Sequence, residues 1–140
     1  MSNQGCMFAR AALDLICIVF KRKMTDEIDG KIVVGLVEDV TILGADDEQE
    51  TVEARMDTGA INSSIDQRLA AKLKLGPIIK TRKVKQSNGA VSRPVIEVEV
   101  DLKGKRVRTE FTISNRSHMT YKALIGQNIL KQGFLVDPSR

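Results

Sequence analysis

The tetrapeptide Asp57-Thr58-Gly59-Ala60 directly follows Glu50–Met56, a segment in which apolar and polar residues alternate. That period of two predicts a β-strand, so the Asp57 carboxylate projects from the end of a rigid element. Thr58 offers a hydroxyl that can bond to another backbone, and Gly59 permits a turn with positive φ. By itself the triplet also fits an ordinary turn closed by the Asp side chain, so its meaning depends on the rest of the chain.

The remaining pattern is that of one β-rich domain with little helix. Apolar, β-branched runs predict strands at Lys31–Val37 and Val40–Leu43, and Gly44–Glu48 is a turn cluster. Ser87-Asn88-Gly89 contains the Asn-Gly pair that marks a tight hairpin. Four further strands are predicted at Ile78–Gln86, Pro94–Leu102, Arg106–Ile113 and Phe134–Asp137. Two helical segments are predicted, at Asp66–Leu75 and in a turn that ends at Leu130. Several short strands in 140 residues predict an all-β sandwich or barrel.

A second motif, Leu124-Ile125-Gly126-Gln127-Asn128-Ile129-Leu130, lies near the C-terminus. It resembles the retroviral protease signature hydrophobic-hydrophobic-Gly-Arg-Asn-x-Leu, in which an apolar strand passes behind the aspartate loop and a short helix follows. The upstream tetrapeptide, with Ser63 and Ser64 behind it, resembles the aspartate loop of the same enzymes.

The chain more closely resembles a small bacterial and archaeal family of retropepsin-like proteins. These are labelled ATP-dependent zinc proteases and are associated with ATP-grasp ligases of the glutamate-adding type. The family landmarks occur in order over nearly all of residues 30–138. They are Arg55 before Asp57-Thr58-Gly59-Ala60, Ser63-Ser64, Ser87-Asn88-Gly89, Arg93-Pro94-Val95-Ile96, Arg116 with Met119 and Tyr121, Leu124-Ile125-Gly126 with Leu130, and Val136-Asp137-Pro138. Agreement in both order and spacing makes the resemblance specific.

The resemblance implies a retropepsin-like (acid protease) closed β-barrel with one short C-terminal helix, working as a homodimer. It implies that Asp57 is the catalytic residue of an aspartic endopeptidase. The residues implied for the active-site loop are Thr58, Gly59, Ala60, Ser63 and Ser64. The residues implied to support that loop are Leu124, Ile125 and Gly126. The hairpin at Ser87, Asn88 and Gly89 is expected to be a flap over the substrate, although a plain surface hairpin fits the same residues.

The number of carboxylates predicts the homodimer independently. Aspartic proteolysis needs two carboxylates that share one proton, because like charges about 3 Å apart cannot both ionise. The chain contains one Asp-Thr-Gly triplet. A twofold dimer would supply the second Asp57, and Thr58 would brace the two loops across the axis.

Two positions depart from the family pattern. Gln127 stands where an Arg is usual, which predicts the loss of an ion pair with the neighbouring loop. Ile61 stands where retroviral enzymes have a second acidic residue, which predicts the loss of a polar substrate contact.

Residues 1–23 form an N-terminal extension of uncertain status, and residues 24–140 form the protease-like domain. Its apolar part, Met7–Phe20, contains a charge-free run of only six residues, Leu15–Phe20, which is too short to span a membrane. The extension fits a short accessory helix or a chain that truly starts at Met24. A signal peptide is disfavoured, because Lys21-Arg22-Lys23 follows the apolar part instead of a small-x-small cleavage site.

The residues give no support for a metal or another cofactor. His118 is the one histidine, no His-Glu-x-x-His motif occurs, and Cys6 and Cys17 are not at ligand spacing. No Gly-x-x-x-x-Gly-Lys-Ser/Thr loop occurs either, so any ATP dependence would belong to a partner such as the ligase. Two cysteines outside the body of the domain fit free thiols in the cytoplasm.

The net charge of +4 is concentrated in the extension, where Arg10, Lys21, Arg22 and Lys23 oppose Asp14. The remainder holds 18 basic against 17 acidic residues, so nucleic-acid binding is not indicated. Two predicted hairpins are nevertheless basic, through Lys80, Arg82, Lys83, Lys85, Lys103, Lys105, Arg106 and Arg108. These residues fit solvated strand faces, or alternatively the recognition of an acidic peptide such as a glutamate tail.

Three functions are therefore compatible with the chain. The motifs favour an aspartic peptidase with a dyad of two Asp57 residues. A catalytically inactive peptide-binding module with the same fold would follow if the changes at Gln127 and Ile61 spoil the site. A basic nucleic-acid-binding β domain has the least support, because aromatic residues are only 4% of the chain.

Overall fold

The computed structural model describes residues 27–140. The predictions for the extension, including its cysteines and its boundary at Met24, lie outside the described residues. The chain divides into two units, Met1–Val33 and Val34–Arg140.

A short hairpin opens the described part of the chain. Strands β1 (Glu27–Ile28) and β2 (Lys31–Val34) are antiparallel, with Glu27 opposite Ile32. The connecting Asp29 and Gly30 have φ angles of 53° and 77°, which suit the Asp-Gly type I′ turn. Strand β1 was not predicted from the sequence, and β2 ends at Val34, three residues before the predicted Val37.

The second unit is a closed β-barrel, as the resemblance implied. The strands of this unit are β3 (Val37–Leu43), β4 (Gln49–Met56), β5 (Ser63–Asp66), β6 (Ile78–Gln86), β7 (Gly89–Leu102), β8 (Lys105–Ser114), β9 (Ala123–Ile125) and β10 (Phe134–Val136). Strand β10 is not part of the barrel sheet. Its helices are α1 (Gln67–Lys72) and α2 (Gln127–Leu130). The sheet order is β3-β4-β9-β5-β8-β7-β6, and β3 also pairs with β7, which closes the ring.

The alternation of the strands places their apolar residues inside the barrel. Along β7, for example, Val98, Val100 and Leu102 are buried while the residues between them are more exposed. The largest fully buried side chains are Phe111, Ile42, Met56, Ile65, Ile96, Leu102, Ile125, Ile129, Val33, Val34 and Val40. The core is thus built mainly from β-branched and aliphatic residues, as the scarcity of aromatics requires.

The predicted helical segment at Asp66–Leu75 is confirmed as α1. The Asp66 side chain caps the helix by accepting from the Arg68 N–H at 3.1 Å. Leu69, Ala70 and Leu73 are buried on the face that their spacing predicted.

The predicted hairpin is confirmed as β6 and β7, but β7 begins at Gly89 and not at the predicted Pro94. Gln86 pairs with Gly89, so Ser87 and Asn88 are the two turn residues. Gly89 follows the turn with φ of +117°, a conformation that residues with a side chain rarely adopt. The hairpin reaches beyond the barrel, because β6 pairs only with β7 in this sheet.

The barrel core can be tested with two isoleucines that differ in burial. Ile65 in β5 is 0% exposed and Ile78 in β6 is 60% exposed. We expect Ile65→Ala to lower the free energy of unfolding by about 2–5 kcal/mol, because the lost side chain leaves a cavity. Ile78→Ala should change it by about 0.5 kcal/mol or less. Urea unfolding at one protein concentration measures both, and equal losses would contradict the assignment of the core.

Candidate active site

The segment Asp57–Asn62, here called the aspartate loop, begins where β4 ends. The Asp57 N–H donates to the Ile125 carbonyl at 2.8 Å, and the Ala60 N–H donates to the Asp57 carbonyl at 3.2 Å. The Gly59 N–H donates to Asp57 Oδ1 at 2.9 Å, which fixes the orientation of the carboxylate. Asp57 is partly exposed, and Thr58 and Gly59 are exposed. The loop therefore presents an oriented carboxylate at the surface of one chain.

Strand β9 passes between β4 and β5 behind this loop, as the second motif predicted. It runs parallel to β4, with Met56 beside Ile125, and antiparallel to β5. At its end Gly126 lies so close to the loop that a Cβ there would overlap the Asn62 carbonyl carbon at 2.7 Å and approach Ala60 O to 2.9 Å. The crossing of β9 behind the loop therefore requires glycine at this position.

Ser63 and Ser64 follow the loop and have different partners. The Ser63 hydroxyl donates to Asn128 Oδ1 at 2.7 Å and accepts from the Gly126 N–H at 2.9 Å. The Ser64 hydroxyl accepts from Arg116 Nη1 at 3.2 Å. The structure thus brings together all the residues predicted for the loop and for its support.

Gln127 makes a direct contact with the aspartate loop. Its side-chain amide donates to the Thr58 carbonyl at 2.8 Å, and its N–H donates to the Ala60 carbonyl at 2.7 Å. A neutral hydrogen bond therefore reaches the loop from the position where the family pattern led us to expect Arg. Ile61, the other departure, is 70% exposed.

The hairpin of β6 and β7 contributes its arms to a cleft of about 360 Å³. This hairpin cleft is lined by Ser64, Arg82, Val84, Arg93, Arg116 and Met119, among others. The predicted flap residues Ser87, Asn88 and Gly89 are exposed at the tip and do not line the cleft.

One acidic residue anchors the hairpin to the barrel. Glu110 in β8 accepts from Arg82 Nη2 at 2.7 Å and from Lys80 Nζ at 3.1 Å. These hydrogen bonds, first from Lys80 and then from Arg82, hold the pKa of the Glu110 carboxyl below its usual value. Arg82 Nη1 also donates to Thr112 Oγ1 at 3.3 Å.

A second depression, of about 340 Å³, contains Asp57 itself. This aspartate depression is lined by Arg55, Asp57, Arg116, Met119, Thr120, Tyr121 and Leu124. Arg116 and Met119 line both the hairpin cleft and the aspartate depression, so the two spaces share a wall.

Arg116 in that wall is only 8% exposed. Its Nε donates to the Tyr121 carbonyl at 3.0 Å, and its backbone N–H donates to Asp66 Oδ1 at 2.6 Å. Burial lowers the pKa of the guanidinium, and the charge of Asp66 raises it. Arg116 was noticed in the sequence only as a family landmark, because its position beside Asp57 depends on the fold of the loop after β8.

Most of the basic residues of the two hairpins have acidic partners. Arg108 Nε lies 2.9 Å from Glu97, Arg106 lies 3.9 Å from Glu99, and Lys103 lies 3.9 Å from Glu38. These contacts fit the interpretation of solvated strand faces, whereas Arg82 and Arg93 line the hairpin cleft.

No group of three or more His, Cys, Asp or Glu side chains within residues 27–140 is arranged to hold a metal ion. His118 is exposed. Over the same residues no helix is both long enough and apolar enough to cross a membrane.

Comparison with protein families identifies a matching family. A family model described as RimB-like, "Retropepsin-like aspartic endopeptidase RimB", matches residues 70–140. The match includes the hairpin, β8, β9 and α2, and it begins after Asp57.

Two curated relatives share part of the chain. Proteins of Shewanella halifaxensis (strain HAW-EB4) and Shewanella pealeana (strain ATCC 700345 / ANG-SQ1), both named "Probable alpha-L-glutamate ligase", are 38% and 36% identical to it over 63 residues. These residues are 44% of this chain and 14% of each ligase, so the likeness covers a small part of the ligases.

Three solved structures share the fold. Lpg0085 of Legionella pneumophila, a protein of unknown function, has a TM-score of 0.56 and 22% identity over 77% of this chain and 94% of its own. EIAV protease in complex with the inhibitor HBY-793 has a TM-score of 0.55 and 21% identity over 69% of this chain and 85% of its own. Simian foamy virus protease has a TM-score of 0.51 and 17% identity over 68% of this chain and 91% of its own. The retropepsin-like fold is thereby confirmed.

The hairpin anchor predicts a pH-dependent contribution to stability. Because the pKa of Glu110 is lower in the folded protein than in the unfolded chain, its ion pairs contribute fully above the unfolded value, near 4.3. That contribution is lost as the pH falls through the folded value. Glu110→Gln should therefore destabilise the protein at pH 7 and much less at pH 3. Urea unfolding at both pH values measures this difference, and a loss that does not vary with pH would contradict the anchor.

Proposed function

Because the chain belongs to the RimB-like family of retropepsin-like aspartic endopeptidases, we propose that it is an aspartic peptidase that acts as a homodimer. Its dyad consists of two Asp57 residues, one from each subunit. The observation that carries the proposal is the partly exposed, oriented carboxylate of Asp57 in a loop held by β9. One chain contains one such loop, so the second carboxylate comes from a second copy.

The geometry of the aspartate loop supports this role. Asp57 Oδ1 is held by the Gly59 N–H, and Oδ2 has no hydrogen bond to any residue in the range 27–140. Thr58 and Gly59 are exposed beside it. A second loop can therefore approach without displacing any contact made by Oδ2.

The reaction is hydrolysis of a peptide bond by a water molecule between the two carboxylates. One carboxylate, in its ionised form, takes a proton from the water as its oxygen adds to the scissile carbonyl carbon. The other, in its protonated form, donates to the carbonyl oxygen. When the C–N bond breaks, a proton passes to the leaving nitrogen, and a carboxylic acid and an amine are released.

The proposed substrate is an acidic peptide, and the names of the relatives support this choice. Two proteins named as alpha-L-glutamate ligases contain a segment similar to this chain. A peptidase paired with such a ligase, which is the link to an ATP-grasp enzyme that we propose, would cleave the glutamate-rich product. Arg93 and Arg116 in the hairpin cleft supply positive charge for a substrate of that kind.

The dyad can be tested by Asp57→Asn. The substitution keeps the shape of the side chain and removes the carboxylate that the reaction needs, so hydrolysis of acidic peptides should fall by at least about 10³-fold. The urea unfolding midpoint should not decrease, because the variant loses a like-charge repulsion across the dyad. Asp39→Asn, which changes an exposed aspartate on β3, is the matched control and should retain activity.

If Asp57→Asn cleaves as fast as the wild type, the assignment of Asp57 is wrong. If the wild type binds acidic peptides without cleaving them, the inactive-module alternative replaces the peptidase.

The dimer can be tested by mixing subunits. Sedimentation of the wild type at micromolar concentration should give twice the chain mass of 15.5 kDa. Wild-type protein mixed and re-equilibrated with Asp57→Asn should form heterodimers that hold a single carboxylate. Activity should then follow the square of the wild-type fraction. A linear dependence would show that each chain acts alone.

A further inference from the structure

The aspartate depression is lined both by Asp57, the proposed catalytic residue, and by Arg55, which precedes it by two positions in the chain. Ala54 and Met56 are 0% and 2% exposed, so they point into the barrel core. Arg55 lies between them and is exposed, so it points to the opposite side. It pairs with Leu124 of β9, which also lines the depression. Arg55 therefore lies beside Asp57 on the side that a substrate would approach.

The charge of Arg55 is not neutralised within residues 27–140. Its side chain makes no hydrogen bond or ion pair to any of these residues, Asp57 included. By contrast Arg82, Arg106 and Arg108 all lie within 4.0 Å of a glutamate. Arg55 therefore differs from these three arginines, because its guanidinium is available to a ligand.

The wall behind the depression adds to the positive charge. Arg116 places its guanidinium against the Tyr121 carbonyl and the Ser64 hydroxyl, both of which are neutral. Asp66 is near enough to affect the pKa of Arg116 but makes no direct ion pair with its guanidinium. Two guanidinium groups thus line a space in which Asp57 supplies the one carboxylate. A guanidinium binds a carboxylate through two parallel N–H donors, which a neutral side chain cannot match.

From these contacts we infer that Arg55 determines specificity by binding an acidic side chain of the substrate next to the scissile bond. The inference rests on the proposed function and adds a positional rule to it. In a twofold dimer each subunit contributes one Arg55, so one arginine lies on each side of the cleaved bond. Cleavage then falls inside a run of acidic residues, and a single acidic residue at the edge of a neutral sequence is a poorer site.

The first experiment measures selectivity with quenched fluorescent peptides. One peptide has Glu on both sides of the scissile bond, a second has Glu on one side and Gln on the other, and a third has Gln on both. The variants are Arg55→Met, which keeps the apolar stem, and Arg55→Glu, which reverses the charge. Arg108→Met is the control, because Arg108 is an exposed arginine paired with Glu97 on the barrel exterior.

The expected result depends on the number of acidic positions. Each lost arginine–carboxylate pair should reduce the selectivity over the Gln peptide by roughly tenfold. Arg55→Met should therefore lower the ratio of kcat/KM values by about 10-fold for the peptide with one Glu and about 100-fold for the peptide with two. The Arg55→Glu variant should cleave a peptide with Lys next to the scissile bond faster than the peptide with Glu there. The Arg108→Met control should keep the wild-type ratios of kcat/KM values. Wild-type selectivity should also decrease as salt is raised.

Two results would overturn the inference while leaving the peptidase intact. One is wild-type cleavage of the Glu and Gln peptides at equal rates. The other is an Arg55→Met variant that keeps the wild-type selectivity. Either would mean that Arg55 is only a solvated surface residue.

A binding measurement keeps the inference testable if the wild type cleaves none of the peptides. Fluorescein-labelled hexaglutamate and hexaglutamine peptides are titrated with the Asp57→Asn protein and with the Arg55→Met/Asp57→Asn double variant. The Asp57→Asn protein should bind hexaglutamate more tightly, and the double variant should lose that preference. Equal binding by the two proteins would refute the role of Arg55. Failure of the proposed peptidase is read separately, from wild-type cleavage.

Discussion

The main-chain hydrogen bonds between the aspartate loop and the segment Ile125–Asn128 are the constraint on which the site depends. The Asp57 N–H bonds to the Ile125 carbonyl, and the N–H groups of Gln127 and Asn128 bond to the carbonyls of Ala60 and Ile61. Because these bonds are made by the backbone, they tolerate changes in most side chains of both segments. Gly126 is the exception, since any side chain there would overlap the loop. The Gln127 side chain adds a neutral hydrogen bond to the Thr58 carbonyl beside this backbone pairing.

Side chains extend this constraint from the loop to the hairpin. The Ser63 hydroxyl bridges the Gly126 N–H and the Asn128 side chain, and the Asn128 amide donates to the Glu110 carbonyl at 2.9 Å. The Glu110 carboxylate then binds Lys80 and Arg82 of the hairpin. Ser63 is fully buried within this network, and a buried polar group is costly unless it is paired. Hydrogen bonds thus connect Arg82 to the aspartate loop through Glu110 and Asn128, whose N–H donates to the Ile61 carbonyl.

The parts of the fold that depend on local sequence were predictable. Asn88 and Gly89 marked the hairpin, and Asp66 marked the start of α1, because turns and helix caps depend on the conformations of a few adjacent residues. The early start of β7 at Gly89 and the unpredicted short strands β1 and β5 show the limit of such signals. Arg55 and Arg116 were noticed only as landmarks of a family pattern. Their positions in the depression could not be predicted from local sequence. Arg116 lies far from Asp57 in sequence, and the two residues line the same depression only in the folded chain.

The pairing of charged side chains differs between the barrel exterior and the surroundings of Asp57. On the barrel exterior Arg106 and Arg108 of β8 form ion pairs with Glu99 and Glu97 of the neighbouring β7, and such exposed pairs stabilise the sheet only slightly. Beside Asp57 that pairing stops, and Arg55 is exposed without an acidic partner in the part of the chain that the structure describes. Neither Arg55 nor Asp57 contributes to the core, so the barrel can persist when these residues change. Proteins of 17–22% identity share the fold, and fold similarity alone does not establish a common substrate. The chemistry of this chain therefore depends on the few side chains that the barrel leaves exposed around the aspartate loop.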